Sequence, residues 1–481
     1  MHRHCQPLVF ACTIVFLPAI FTFFAFATKP AGAAEIARPN VVFILTDQWR
    51  GQATGYAGDV NAKTPNIDRL AGHGVRFGHA VSGCPVCSPY RGSLMTGRYP
   101  LGHGVFLNDV QLNNDAVALA QAFGGAGYQT AFIGKWHLDG HGRSSFIPPE
   151  RRQGFQFWRT AECTHNYNHS HYYADDDEKK FWQGYDAFAQ TAEARRYIER
   201  HKDGPFVLVL SLGPPHNPYQ TAPQRFKQMF RPEDIVLRPN VPKSAEKAAR
   251  RDLAGYYAHI AALDHCVGLV EATLKRQGLL KNTILVFTSD HGDMLGSHGE
   301  SRKQRPWDES ILVPLVVHWP AGLGGSARKL ITPINAPDIM PTLLGLCGID
   351  IPKTVEGRNR SKLLTGQAAD NGEGAELITC VSPFGEWTRA KGGREYRGIR
   401  TRRYTFVRTL DGPWLLYDNR TDPYQQNNLC DKPQHAELQK RLDAKLQEEL
   451  RRTGDEFLPG AEYVKKWGYK VNKHGTVRYK P

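Results

Sequence analysis

NVVFILTD, residues 40–47, decides the first reading of the fold. Val41 to Leu45 form an unbroken apolar run that ends in Thr46 and Asp47. A continuous run of branched and aromatic side chains suits a strand covered on both faces, where a half-exposed strand would alternate. The design recurs along the chain. Pro205–Leu212 (PFVLVLSL) leads to Pro214-Pro215-His216, Thr283–Thr288 (TILVFT) leads to Asp290-His291, and Val313–His318 (VPLVVH) reads as one more buried strand. Between them, Asp252–Gly278 carries Leu253, Tyr256, Ile260, Leu263, Val267, Val270 and Leu274 at steps of three and four, which predicts a helix ending at Gly278. Strands alternating with helices give an α/β fold with a large, mostly parallel sheet. Sites in such sheets collect at the carboxyl ends of the strands, where the polar residues just named fall.

The texture changes near residue 360. Gln367–Gly374 reads as a linker or loop, followed by short alternating segments at Arg397–Arg408 and Trp414–Tyr417 and a helix over Pro433–Leu450. We therefore expect a large α/β domain over residues 36–365, carrying the residues at the strand ends, and a smaller C-terminal α+β domain over 375–481, with a short antiparallel sheet and a helix. At the other end, Arg3, the apolar stretch Pro7–Ala27 and Ala31-Gly32-Ala33-Ala34 follow the order of a secretory signal peptide, residues 1–34. A retained anchor is the alternative reading, because the apolar stretch borders on spanning length. Cleavage predicts a secreted or periplasmic protein with no stable membrane span.

The 481 residues carry a formal net charge of +14, with Lys and Arg scattered and not in runs. That pattern favours anionic substrates or surfaces over nucleic acid. Cys84, Cys87, Cys163, Cys266, Cys347, Cys380 and Cys430 remain after residue 34. An odd, widely spread set argues against a disulfide scaffold or a Cys-based zinc site.

CPVCSPYRGSLMTGRYP, residues 84–100, is the most specific segment. Cys84-x-x-Cys87 alone would suggest a redox dithiol. Cys87-Ser88-Pro89-Tyr90-Arg91 followed by Thr96-Gly97-Arg98 instead resembles the signature of the formylglycine-dependent sulfatases, where C-x-P-x-R directs oxidation of the cysteine. The likeness extends to Thr64–Leu70 (TPNIDRL), Gly134–Leu138 (GKWHL), Pro214-Pro215-His216, Phe287–Gly292 (FTSDHG), Lys303 with Glu309-Ser310, Asp338–Leu343 (DIMPTL), Glu356-Gly357-Arg358 and Leu416-Tyr417-Asp418. It covers most of the chain and implies an alkaline-phosphatase-like core that hydrolyses sulfate monoesters.

The resemblance implies that a hydrated formylglycine at position 87, made by a formylglycine-generating enzyme, supplies the nucleophilic hydroxyl. The sulfated hemiacetal then collapses to the aldehyde and releases sulfate. A serine could attack but could not eliminate sulfate in this way. For the metal, the family pattern carries over to Asp47, Gln48, Cys87 as formylglycine, Asp290 and His291. Gln48 departs from the commoner pair of acids, which removes a charge but keeps an oxygen donor. Oxygen-rich ligation favours Ca²⁺, while the nitrogen of His291 leaves Mn²⁺ or Mg²⁺ open. Lys135 and Lys303 resemble the sulfate-binding lysines, and Arg91 the arginine that orients the formylglycine. His216 resembles the acid that protonates the leaving alcohol, and His137 the base for hemiacetal collapse.

Cys163–Tyr173 (CTHNYNHSHYY) reads either as a sugar-binding loop or as a polar insertion, with a second metal site on His165, His169 and His171 less favoured. His165, His169 and His298 are candidate substrate contacts. The secreted context and this loop point to a sulfated carbohydrate. The competing readings are a phosphonate monoester or phosphodiester hydrolase of the same superfamily, a carbohydrate-binding protein whose Cys87 is never converted, and a dithiol oxidoreductase. Gly134-Lys135-Trp136-His137 favours the sulfatase over the phosphonate hydrolase.

Overall fold

Residues 40–47 form the first strand of the computed structural model, which describes residues 1, 2, 4, 6–11 and 38–478. Most of the expected signal peptide, with residues 12–27 of its apolar stretch and the whole cleavage segment, lies outside the described residues. Every residue of this strand, β1 (Asn40–Asp47), is buried. The further strands of its sheet are β2 (Val75–Phe77), β3 (Gln129–Lys135), β4 (Phe157–Ala161), β5 (Phe206–Pro215), β6 (Thr283–Ser289), β7 (Leu315–His318) and β8 (Arg328–Leu330). They lie in the order β8-β2-β7-β6-β1-β5-β3-β4, eight strands among the described residues. All neighbours are parallel except β7, which is antiparallel to both β6 and β2.

The stretch read as one strand over 313–318 divides at Pro314. Leu312–Val313 pairs with Ala80–Val81 in a small separate sheet, and only Leu315–His318 joins the large one. Proline has no N–H to donate to a ladder, so it marks the break.

The side chains of β1 sort by parity. Val41, Phe43 and Leu45 pack with Leu94 and Met95 of the helix Cys87–Thr96 and with Met340 and Leu343 of the helix Ala336–Leu346. Val42 and Ile44 face Ile260, Leu263 and Val267 of the long helix Glu246–Arg276. Helices thus cover both faces of the sheet, and full burial of each such side chain stabilises by about 1.5–3 kcal/mol. The long helix begins a turn and a half before the expected start and stops where Gly278, at φ +72°, takes the left-handed conformation.

The C-terminal region holds the antiparallel strands β9 (Ala375–Cys380), β10 (Tyr396–Thr401), β11 (Tyr404–Thr409) and β12 (Gly412–Asp418). The helix Ala436–Thr453 lays Leu442, Leu446 and Leu450 against Leu377, Ile399 and Phe406 of that sheet. This is the leucine stripe expected over Pro433–Leu450, shifted slightly in its ends.

Four neighbouring strands of the large sheet, β6, β1, β5 and β3, run parallel. Asp290, Asp47, His216 and Lys135 stand at or just beyond their carboxyl ends. The fold therefore gathers residues from positions 47, 135, 216 and 290 at one edge.

Candidate active site

The cluster is built around Cys87, the first residue of its helix and 1% exposed. Its sulfur lies 3.2 Å from Lys303 Nζ, 3.2 Å from His291 Nε2 and 3.6 Å from Asp47 Oδ1. Ligand atoms of Asp47, Cys87, Asp290 and His291 all lie within 4.8 Å of one another. Gln48 closes the ring: its backbone N–H donates to Asp290 Oδ1 at 3.0 Å, and its Oε1 accepts from Lys303 Nζ at 3.2 Å. Gln48 (φ +73°) and His137 (φ +59°) both hold left-handed backbone conformations, which cost energy for non-glycine residues and concentrate at functional sites.

The donor set fits a divalent cation. Two carboxylates, an amide oxygen and an imidazole converge in a buried space. His291 donates from Nδ1 to the carbonyl of Gly292 at 2.9 Å, which leaves the Nε2 lone pair free to ligate.

Cations surround these carboxylates. Lys135 Nζ donates to Asp47 Oδ2 at 2.5 Å, and Arg91 Nη2 reaches Asp290 Oδ2 at 3.0 Å and Asp47 Oδ2 at 3.5 Å. Arg91 is itself anchored through Nη1 to Ser211 Oγ (2.7 Å) and the carbonyl of Lys135 (2.8 Å). Burial pushes the Asp47 carboxyl up, but Lys135, His216 and Lys303 outweigh it and hold the group well below its ordinary value. Burial and the charge of Asp47 together raise Asp290. At Cys87, burial and Asp47 oppose ionisation, yet Lys135, Lys303 and His291 draw the thiol well below its usual range. Position 87 is therefore a place where a deprotonated nucleophile is stabilised.

The two histidines are set differently. His137 Nε2 meets Asp109 Oδ1 at 3.2 Å, and Asp109 is gripped by Arg143 through two bonds of 2.8 Å. Burial lowers His137, but Cys163 and Asp109 raise it to about 9. His216 accepts from Lys303 Nζ at 2.9 Å and donates to the carbonyl of Asn217 at 2.8 Å. Burial, followed by the charge of Lys303, holds it well below the ordinary histidine range.

Of the expected substrate contacts, His165 stacks on His216, with ring centroids 4.4 Å apart and planes 2° from parallel. His169 stacks on Phe181 at 4.5 Å, whereas His298 stacks on Trp307 at 4.8 Å and contacts Asn240 at 3.1 Å. Both stand outside the contacts of the Cys87 cluster. Cys84 is buried, faces Thr379, and is pushed up to about 12 by burial.

Several members of the site had no role in the sequence reading. Asp293, fully buried, accepts from Gln48 Nε2 at 2.7 Å and from Tyr219, so it fixes which way the Gln48 amide points. Its proximity to Asp290-His291-Gly292 was the available signal. Asp109, Arg143 and Tyr219 carry no local motif. Glu162 receives the backbone N–H groups of Leu138, Asp139 and Gly140 at 2.8–3.2 Å and holds the loop after His137.

The sulfatase family model matches residues 39–349, and the model described as N-sulphoglucosamine sulphohydrolase, C-terminal, matches residues 296–452. The chain is 47% identical over 451 residues to an ulvan-active sulfatase of Formosa agariphila, covering 92% of this chain and 86% of that protein. It is 31% identical over 455 residues to an endo-4-O-sulfatase of Bacteroides thetaiotaomicron, covering 82% and 89%. A solved Bacteroides fragilis structure assigned as a sulfatase superposes with a TM-score of 0.80 at 31% identity, over 91% of this chain and 100% of that one. On the extent of these matches, the chain belongs to the sulfatase family.

Proposed function

We propose that this sulfatase hydrolyses sulfate esters of a polyanionic carbohydrate outside the cytoplasm, using formylglycine at position 87 and a calcium ion. Formylglycine and a metal are general features of the family. Assignment to Cys87 rests on the packing of its sulfur against Lys303 and His291 at 3.2 Å, the observation that carries the reading. Asp47, Gln48, Asp290 and His291 would hold the ion together with position 87. Calcium is preferred because carboxylate and amide oxygens dominate the set, and Mn²⁺ and Mg²⁺ are the alternatives. When bound, the ion lowers the pKa of the nucleophile and neutralises sulfate oxygens.

In this reading Lys135 and Lys303 take the sulfate oxygens as point cations, and Arg91 orients position 87 through its bonds to Ser211 and Asp290. His216 protonates the leaving alcohol. It is neutral beside Lys303, and an anionic ester that takes the Lys303 ammonium in place of the imidazole draws its proton affinity upward. His137, pivoted by Asp109 and Arg143, takes the proton in the release step. The carbohydrate assignment is supported by the ulvan-active relative at 47% identity. Export is supported by the order of residues 1–34. Among the described residues no helix is long and apolar enough to cross a membrane.

The test is the mass of the tryptic peptide 77–91 from protein made alongside a formylglycine-generating enzyme, with sulfate release from ulvan oligosaccharides. An aldehyde at Cys87 and released sulfate are expected. Cys87 left as a thiol under active conversion would end the nucleophile assignment. Release of methylphosphonate from an aryl ester faster than sulfate from its matched partner would favour the phosphonate reading.

A further inference from the structure

At the end of the sheet that carries the catalytic cluster lies a cavity of about 590 Å³, lined by none of the residues assigned above to sulfate, metal or proton transfer. The volume is in the range of small-molecule sites, ~300–1,000 Å³. Its position follows from register. Leu315 pairs with Thr288 near the carboxyl end of β6, so Val313 and Pro314, which line the cavity, stand at the same end of the sheet as the catalytic residues. The chain leaving β1 through Gln48 supplies Arg50 to its lining.

The charge of this cavity is one-sided. Four cations, Arg50, Arg76, Arg238 and Lys329, line it against one carboxylate, Asp59. Arg238 is matched by Glu309 at 2.8 Å, and Asp59 already accepts from Asn61 and Tyr257. Among the described residues, Arg50, Arg76 and Lys329 have no carboxylate within ion-pair distance. Arg50 is 2% exposed, and among the described residues its Nε and Nη1 have no hydrogen-bond partner and its one side-chain bond runs from Nη2 to Tyr257 at 3.2 Å. Buried donors without partners are costly and call for a reason beyond the fold itself. Arg50 is covered, so it acts on the cavity through its field, and Arg76 and Lys329 offer the reachable donors.

The rest of the lining excludes a bare ion. Arg76 lies over the ring of Tyr56 at 5.2 Å, and Arg238 over Tyr424 at 4.9 Å, so aromatic faces and cations alternate. Val60 and Val236, 77% and 59% exposed, add apolar surface at the mouth. Arg76 also donates to the carbonyl of Tyr56 at 3.4 Å. An inorganic anion has no use for rings and valines, and an acyl chain has none for three cations that lack a carboxylate partner. A sugar bearing a carboxylate or sulfate presents both kinds of surface.

We infer that this cavity is a second carbohydrate site, taking an anionic sugar unit (a uronate or a sulfated residue) of the polymer whose ester is cleaved elsewhere. It rests on the reading of the substrate as a polyanionic carbohydrate. Engaging one chain at two points makes the second contact intramolecular, which strengthens binding to polymer without touching the scissile ester.

The test uses the full chain carrying Cys87→Ala, with and without Arg76→Ala plus Lys329→Ala. Glucuronate, galactose 6-sulfate, galactose and inorganic sulfate are the probes, with binding followed by calorimetry and NMR. The expected result is a loss of about tenfold or more in affinity for one or both anionic sugars in the triple variant, and no binding of galactose to either protein. The sugar that responds identifies uronate or sulfate as the ligand. In protein whose Cys87 is not substituted and has been converted to formylglycine, the pair Arg76→Ala and Lys329→Ala should leave turnover of 4-nitrophenyl sulfate within twofold. Equal affinity of both proteins for the anionic sugars overturns the site. So does inorganic sulfate losing as much affinity in the triple variant as the sugars do, or aryl sulfate turnover falling in parallel while the melting temperature is unchanged. Failure of converted parent protein to turn over any sulfate ester defeats the enzymatic reading instead, and the binding arm still decides the cavity.

Discussion

Asp293→Asn should weaken metal binding while changing no ligand. Asp293 Oδ1 accepts the backbone N–H groups of Leu295 (3.1 Å) and Arg302 (2.8 Å), and an asparagine oxygen keeps both. Its Oδ2 accepts from Gln48 Nε2 at 2.7 Å and from Tyr219. In the variant an NH₂ group takes that place, so donor faces donor. The Gln48 amide then gains by turning over, which offers Oε1 to residue 293 and aims NH₂ at Lys303 and the ion. In the wild type the same rotation breaks a hydrogen bond to a charged group, about 1.5–3 kcal/mol, and the bond from Lys303 to Oε1 at 3.2 Å. The preferred orientation therefore reverses. Loss of such a supporting contact typically lowers metal affinity by roughly 10–100-fold, or about 1.4–2.8 kcal/mol. Calorimetric titration of chelator-stripped protein with Ca²⁺ measures this directly, and circular dichroism verifies folding. A folded variant whose Kd for Ca²⁺ stays within twofold of wild type would refute the placement of Gln48 Oε1 as a ligand.

Cys87→Ala should lower sulfate release by ~10⁴-fold or more, because the nucleophile and its elimination step go together; a rate within a hundredfold of wild type points to another nucleophile. His137 carries a folded-state value near 9 against 6.5 unfolded. Its contribution to the unconverted protein is thus present below pH 6.5 and lost as pH rises through 9. Urea melts of wild type and His137→Gln should converge over that window by roughly 3 kcal/mol, and parallel curves would contradict the assignment. Arg397 is wholly buried and paired with Asp455, which follows the C-terminal helix. Asp455→Ala should cost about 3–5 kcal/mol in urea denaturation with aryl sulfate turnover at 25 °C unchanged; a smaller loss than 1 kcal/mol would mean that Arg397 finds another partner.

Much of the frame was legible along the chain. Unbroken apolar runs marked the buried strands because a strand covered on both faces has no polar side to alternate with. Asp47, His216, Asp290 and His291 could be placed at strand ends because each follows such a run within a few residues. Even so, Pro314 divided a run that hydropathy alone left whole. The Cys84-x-x-Cys87 pair looked local, yet its two thiols face different surroundings, Thr379 for one and Lys303 for the other.

The sequence by itself determined the chemistry of the residues and the strand ends that carry them, since both are written in short contiguous patterns. Only the tertiary structure decided which groups meet. Asp109 beneath His137, Asp293 behind Gln48, His165 on His216, and the cations beside Asp59 all lie far apart in the chain or carry no motif. Their pairing arises from sheet order and loop packing, and burial then sets the proton affinities that the bare residue types leave near their ordinary values.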